Sequence, residues 1–255
     1  QKTQDAQIVF AGIQSIANAK IQHYEILIID ECHLVAPNEA GQYHQLINNL
    51  KNVNPNLKIL GLTATPYRLD SGYLTQWETP IFERVVYKID VKLLIKRGFL
   101  CPVVSNGGGV KVDVSKVKHK GGEFLDSALE SLYMSKTPEI VADIVKQGIN
   151  RKAWLIFCVS IEHAEQVTAE LISHGINTAC YHSQSDNDYI LDDFAQGRLK
   201  CLVNVNILTT GSNFPIADMC VLIRATESTA LYVQIVGRVM RLYPDKQNAL
   251  LLDYG

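Results

Sequence analysis

Ile26-Leu27-Ile28-Ile29-Asp30-Glu31-Cys32-His33 decides how this chain is read. Four consecutive apolar residues predict a short buried strand of the kind found in parallel sheets. In open α/β sheets, ligands sit beyond the carboxyl ends of the strands. Asp30 and Glu31 stand at such an end. An Asp placed there can hold the water shell of Mg²⁺, and a neighbouring Glu can orient or deprotonate an attacking water. An ordinary strand end also carries acidic pairs, so the pair does not decide its own role. Its usual companion is the phosphate-cradling loop G-x-x-x-x-G-K-[ST]. No Gly-Lys dipeptide occurs in the chain, which leaves the second half of an ATP site without the first.

Outward from this stretch, short apolar runs alternate with helical patterns. The expected strands are Ile8–Ala11, Ile26–Ile29 and Lys58–Leu62, with a helix over Asn38–Leu50. A second series has strands at Ala153–Val159, Asn177–Tyr181, Cys201–Val205, Met219–Arg224 and Ala249–Asp253. Helices are expected at Glu162–Ser173, Asp188–Gln196 and Thr229–Val236. This alternation predicts an α/β fold with parallel sheets. Tyr87–Gly122 breaks the rhythm. It reads as a short helix over Asp90–Gly98, then a Lys-rich interdomain excursion between Gly107-Gly108-Gly109 and Gly121-Gly122. Phe124–Tyr133 and Pro138–Gln147 read as two helices leading into the second sheet.

The 255 residues fit one large or two medium domains, and 47% apolar content is enough for a real core. No run is long enough to cross a bilayer, and the N-terminus does not resemble a signal peptide. The six cysteines are scattered without a C-x-x-C pair, the pattern of reduced small hydrophobes in a cytoplasmic protein. A net charge of −2 provides no global field that would draw in nucleic acid, so any such contact is local. The first residue is not Met, which suggests a fragment or a processed chain.

Three further stretches carry chemistry. Thr63-Ala64-Thr65-Pro66 ends the strand after the acidic pair, where its hydroxyls can reach that pair; a plain Thr-Pro turn is the alternative. Thr209-Thr210-Gly211-Ser212-Asn213-Phe214-Pro215 follows a strand and offers hydroxyls and amides to phosphate or ribose; by itself it is a polar loop. Gln234, Arg238 and Arg241 recur at helical spacing and so are expected on one face. Two guanidiniums there suit γ-phosphate oxygens, the alternative being a solvated basic face. Gly237 weakens that alternative, because Gly costs a helix about 1 kcal/mol unless something approaches closely. His163 and His174 are expected at the surface. Tyr67, Tyr73 and Trp77 could stack bases, with packing as the competing use; Lys111–Lys120 could touch a DNA backbone or be a solvated loop.

Taken together, the chain resembles superfamily 2 helicases and translocases of the DEAD/DEAH-like group. Asp30–His33 matches motif II as a DECH box, Thr63–Thr65 motif III, Leu155–Ser160 motif IV, Val205–Pro215 motif V and Gln234–Arg241 motif VI. Phe10–Ser15 looks like motif Ib. More narrowly, Ile28–His33, Gly61–Leu69, Leu202–Gly211, Ala225–Ser228 and Leu252–Gly255 are similar to RadD-like DNA-repair helicases.

The resemblance implies two RecA-like domains, the first incomplete at its N-terminus. Residues 1–88 would carry motifs Ib, II and III, 89–150 would connect, and 151–255 would carry motifs IV, V and VI. It implies ATP and Mg²⁺ as cofactors, with Asp30 holding the ion through water and Glu31 as catalytic base. His33 would couple to motif III or VI, with Thr63 and Thr65 on the receiving side. Gln234 would sense nucleotide, Arg238 and Arg241 would reach the γ-phosphate, and Gly211 and Asn213 would contact ATP. Gln14, Ser15, Ser160, Thr209 and Thr210 would touch nucleic acid, most simply DNA. Motifs I and Ia are missing, Asn213 stands where motif V usually has Asp, and Ser212 replaces an apolar residue. The parent is expected to be a DNA helicase or translocase, with this fragment itself inactive as an ATPase. A restriction or defence motor and a non-catalytic nucleic-acid-binding module are the alternatives. An exposed apolar sheet edge is expected in the first domain.

Overall fold

The computed structural model describes residues 6–16, 22–37, 41–68, 71–115, 117, 119, 120, 123, 124, 126–186, 189–205, 208, 212–226 and 228–255. The chain divides into two compact units, Gln1–Lys88 and Ile89–Gly255.

The first unit contains α1 (Ile13–Ile16), β1 (Ile26–Ile29), a short 3-10 turn (Cys32–Leu34), α2 (Gln42–Val53), β2 (Lys58–Gly61), β3 (Tyr67–Arg68) and β4 (Gly72–Tyr73). β1 and β2 pair in parallel, with Ile26 opposite Lys58 and Ile29 opposite Gly61. Side chains alternate across a strand. Ile29 therefore packs with Cys32, Val35, Ile47, Leu74 and Trp77, while Ile26 (59% exposed) and Ile28 (58%) face away. Leu60 and Leu62 are exposed as well. The strand expected to be buried is thus covered on one face only. Trp77 belongs to the core and its indole N–H donates to Ser71 O (3.0 Å), so it is not an open stacking platform. Gly61 is required by close approach: a Cβ there would lie 2.6 Å from the Phe82 ring and 2.7 Å from Cys32 Sγ. The strand expected at Ile8–Ala11 is absent. This segment is irregular, Phe10 is 95% exposed, and no described strand pairs with it.

The second unit runs α3 (Val91–Lys96), β5 (Val103–Gly107), β6 (His119–Lys120), β7 (Glu123–Phe124), α4 (Asp126–Gln147), β8 (Trp154–Cys158), α5 (Ile161–Ser173), β9 (Thr178–Tyr181), α6 (Tyr189–Ala195), β10 (Cys201–Asn204), β11 (Met219–Ile223), α7 (Thr229–Val239) and β12 (Ala249–Asp253). Six parallel strands form one sheet in the order β5-β12-β11-β8-β10-β9. Alternate residues of β8 enter two cores. Trp154, Ile156 and Cys158 meet Ile140 and Ile144 of α4 and Ala164, Val167 and Leu171 of α5. Leu155 and Phe157 meet Phe194 of α6 and Ile235 and Val239 of α7. A sheet covered on both faces explains why these strands are apolar throughout rather than alternating.

Three expectations for this unit change. Ahead of the Lys-rich segment, the irregular stretch Tyr87–Gly122 contains an unexpected strand, β5, the sheet's edge, paired with β12 from Val103–Ala249 to Gly107–Asp253. The glycines after it are packed: a Cβ on Gly108 would run into the Tyr254 ring, and Gly109 N–H donates to Asp143 Oδ2 (2.8 Å). Asp143 also accepts from Tyr254 Oη (2.7 Å) and Gln147 Nε2 (2.8 Å), tying α4 to this turn and to the end of β12. Burial pushes the Asp143 carboxyl up, but these hydrogen bonds outweigh it and hold it below the usual range. The two helices expected on either side of Pro138 are one continuous α4. Pro138 has no N–H for the carbonyl four residues back; Gln166 Nε2 donates to that carbonyl, Met134 O, instead (3.2 Å). Finally, His163 is fully buried, stacked on Tyr133 at 5.8 Å, while His174 caps the end of α5 beside Glu170 (3.6 Å).

Candidate functional site

In the first unit the candidate residues gather where the parallel pair ends. The ladder extends past β2, with Leu62 N–H donating to Ile29 O (2.9 Å) and Cys32 N–H to Leu62 O (3.0 Å). This brings the turn after β2 beside the residues after β1. Asp30 is exposed, and its Oδ1 accepts the Glu31 N–H (2.9 Å). Glu31 adopts a left-handed backbone, φ 48° and ψ 46°, as it enters the 3-10 turn. His33 Nδ1 lies 2.9 Å from Thr63 Oγ1 and 3.3 Å from Glu31 Oε2. Thr63 Oγ1 also accepts the Thr65 N–H (3.0 Å) and lies 3.2 Å from Thr65 O, which shapes the Thr-Ala-Thr turn. Thr65 is buried, and its hydroxyl has no hydrogen-bond partner among the described residues.

Burial lowers the basicity of His33. Glu31 opposes this and Arg68 adds to it, and the net shift is downward. His33 is therefore a neutral imidazole at pH 7, and its contact with Glu31 is a hydrogen-bonding contact rather than a charged pair. The neighbouring Cys32 thiol is pushed up to about 11, chiefly by burial, which makes it a packing residue and a poor nucleophile. Arg68 had no assigned part in the sequence reading, yet its Nη1 donates to His33 O (3.1 Å) and Val35 O (3.3 Å). Its signal was a lone cation two residues beyond the Thr-Pro turn.

Gln14 and Ser15 lie exposed on α1. Tyr67 and Tyr73 face each other across the β3–β4 hairpin, ring centroids 5.8 Å apart.

In the second unit the loop after β10 packs against α7, since Leu208 and Phe214 share a core with Ile235 and Val239. That contact sets the reach of the two arginines. Arg238 donates to Ser212 O, and Arg241 to Asn213 Oδ1. α7 ends at Val239 with Met240 as its cap, so Gln234 and Arg238 stand on the helix and Arg241 in the turn beyond it. The single helical face expected for all three therefore holds for two. Nothing among the described residues lies within 4 Å of a Cβ built on Gly237, so the close approach inferred from that glycine is not found. Ser160 caps α5 by accepting the His163 N–H (3.1 Å), and its hydroxyl donates to Glu130 Oε1. Glu130, which the sequence reading passed over, puts a carboxylate beside the motif IV serine, where it opposes a phosphate. Thr209, Thr210, Gly211, Lys116 and Lys118 lie outside the described residues; Lys111 is exposed. No group of three or more His, Cys, Asp or Glu that could hold a metal ion occurs among the described residues, and no described helix is long and apolar enough to cross a membrane.

Comparison with known proteins gives a consistent picture. Residues 1–68 match the family described as the type III restriction enzyme res subunit, and residues 136–243 match the helicase conserved C-terminal domain. The chain is 27% identical to the ATP-dependent helicase IRC3 of Saccharomyces cerevisiae, across 98% of this chain and 37% of that protein. It is also 27% identical to the mitochondrial ATP-dependent helicase irc3 of Schizosaccharomyces pombe, across 98% of this chain and 42% of that protein. The chain thus spans less than half the length of these relatives. Among solved structures, it is similar to a fragment of an HsdR subunit of a type I restriction enzyme from Vibrio vulnificus. There the TM-score is 0.64 at 25% identity, covering 91% of this chain and 43% of the other. The fold is also that of the Type ISP restriction-modification enzyme LlaBIII bound to DNA, with TM-score 0.57 at 16% identity over 92% of this chain and 18% of the other. With a restriction-subunit model matched at one end, a helicase C-terminal model at the other, relatives named as helicases across its length and a six-stranded parallel sheet of RecA-like type, the chain is similar to superfamily 2 helicases over nearly all its length.

Proposed function

We propose that this chain is the motor portion of an ATP-dependent DNA helicase or translocase of the RadD-like kind, acting in DNA repair. The observation that carries this reading is the cluster Glu31–His33–Thr63 at the carboxyl end of β1 and β2. It provides a carboxylate for water, a neutral imidazole beside it, and a hydroxyl that links both to the next turn.

Asp30 suits Mg²⁺ held through water. It is an exposed hard oxygen donor, and the Glu31 N–H occupies Oδ1, leaving Oδ2 for a water of the ion. A single carboxylate suits a Mg²⁺ that would arrive with phosphates. Bound Mg²⁺ supplies charge neutralisation on the transferring phosphoryl oxygens. Glu31 orients the attacking water and takes its proton as the bond from the γ-phosphorus to ADP breaks. His33, neutral, relays the position of Glu31 to Thr63. Arg238 and Arg241 stabilise the charge on the γ-phosphoryl oxygens, a guanidinium being a forked donor that suits phosphate. Asn213 and Gly211 contact the nucleotide and Gln234 senses it. Gln14, Ser15, Thr209 and Thr210 track the nucleic-acid backbone, with Ser160 held back by Glu130. The chain by itself, without a Gly-Lys loop, is inactive as an ATPase.

A second reading, a restriction-type motor that pumps duplex without separating it, is favoured by the match of residues 1–68 and the likeness to the HsdR fragment. Strand-displacement and triplex-displacement assays on the full-length protein, with single-stranded DNA and RNA compared as ATPase stimulants, separate the two. Displaced single strands and DNA-stimulated turnover support the first reading. Displaced triplex with intact duplex supports the second, and stimulation by RNA alone contradicts both.

A further inference from the structure

We propose that Lys246 is a positioning residue for Arg241, fastening the arginine's backbone to the loop that carries Asn213. This rests on the reading of Arg241 as a γ-phosphate contact. Lys246 Nζ donates to Pro215 O (3.1 Å), Ala217 O (2.6 Å) and Arg241 O (2.9 Å). An ammonium has three donors, and all three are used on backbone carbonyls from two separate segments. Asp245 takes a left-handed conformation, φ 64°, and Lys246 N–H closes the turn on Tyr243 O (3.1 Å), which sends the side chain back toward the loop.

Arg241 needs such a tie. α7 has ended at Val239, and the other donor near the Arg241 carbonyl is the weak Cys101 Sγ at 3.9 Å. The arginine is then bound twice to one loop, through its backbone by Lys246 and through its guanidinium to Asn213. Burial lowers the affinity of Lys246 for its proton, against the pull of Cys101 and Asp218. A half-buried ammonium with carbonyl acceptors is a costly fastening. It is worthwhile where the fastened group must be aimed, because a misplacement of about 1 Å can cost about a hundredfold in rate.

ATP turnover of the full-length protein carrying Lys246→Met, Lys246→Arg, Arg241→Ala, or Lys246→Met with Arg241→Ala tests this. Lys246→Met is expected to lower kcat by about ten- to a hundredfold with KM for ATP unchanged, and Lys246→Arg to recover part of the loss. Added to Arg241→Ala, it should cost nothing further. Effects that multiply, or an unchanged kcat, overturn the positioning role. Hydrogen exchange without nucleotide reads the tie separately: the Asn213 and Ala217 amides should exchange faster in Lys246→Met while Val221 and Leu251 stay protected. Unchanged exchange overturns the tie even where Arg241 proves essential. Faster exchange with turnover indifferent to Arg241→Ala keeps the tie but overturns the ATP reading of Arg241, and the positioning role with it.

Discussion

Glu31 sits at φ 48° and ψ 46°, a conformation that costs a non-glycine residue of order 1–3 kcal/mol. Such strain persists where the surroundings over-determine it. Here Asp30 Oδ1 holds the Glu31 N–H, Cys32 N–H is fixed on Leu62 O, and Arg68 gathers the carbonyls of His33 and Val35. The outcome is a carboxylate turned toward His33. A different residue-scale consequence belongs to His163. Burial lowers its pKa to about 4, against 6.5 for the free side chain, with Glu130 opposing weakly. Both ring nitrogens lack hydrogen-bond partners among the described residues. The unfolded chain therefore takes up this proton first as pH falls, so stability is lost between pH 6.5 and about 4, by up to roughly 3 kcal/mol. Urea midpoints at pH 7 and pH 5 should show that loss in the native protein and a flatter profile in His163→Leu.

At the scale of elements, legibility in the sequence followed the strength of the local signal. β1, β12 and the strands of the second sheet's interior are apolar runs bounded by turns, and their positions agree with the expectation to within a residue or two. β5 was hidden because Val103-Val104-Ser105-Asn106-Gly107 is half polar, as an edge strand can be, and glycines follow it. The break expected at Pro138 failed for a tertiary reason: the carbonyl that proline orphans is met by a side chain from another helix. Gln166→Leu should thus cost about 1 kcal/mol or more in thermal unfolding, concentrated where α4 meets α5. The site was legible in the same uneven way. Asp30, Glu31, His33 and Thr63 come together because they follow two apolar strands that pair in parallel, and both strands are legible as apolar runs. The contacts of Arg68, Glu130 and Lys246 were not legible, since a lone charge on a short strand, a helix or a loop gains its meaning from carbonyls and hydroxyls distant in sequence. Gly237 carries a helix cost that names no neighbour by itself, and none of the described residues approaches it.

At the scale of the whole molecule, the two units differ in how completely they are covered. The second buries both faces of the four inner strands of its six-stranded sheet, and Trp154 to Cys158 are shielded throughout. The first has a two-stranded sheet with Ile26, Ile28, Leu60 and Leu62 open on one side. Its amides should open at lower free energy. Hydrogen exchange of this chain is expected to be faster at Ile26–Ile29 than at Trp154–Cys158, and equal protection would contradict that. The central claim joins the carboxylate of the first unit to ATP hydrolysis by the complete motor. The most direct measurement is ATP turnover and nucleotide affinity of the full-length protein with Glu31→Gln, which keeps the shape of the side chain and removes its basicity. The account predicts turnover reduced to near background with nucleotide binding retained; turnover at the native rate would contradict it.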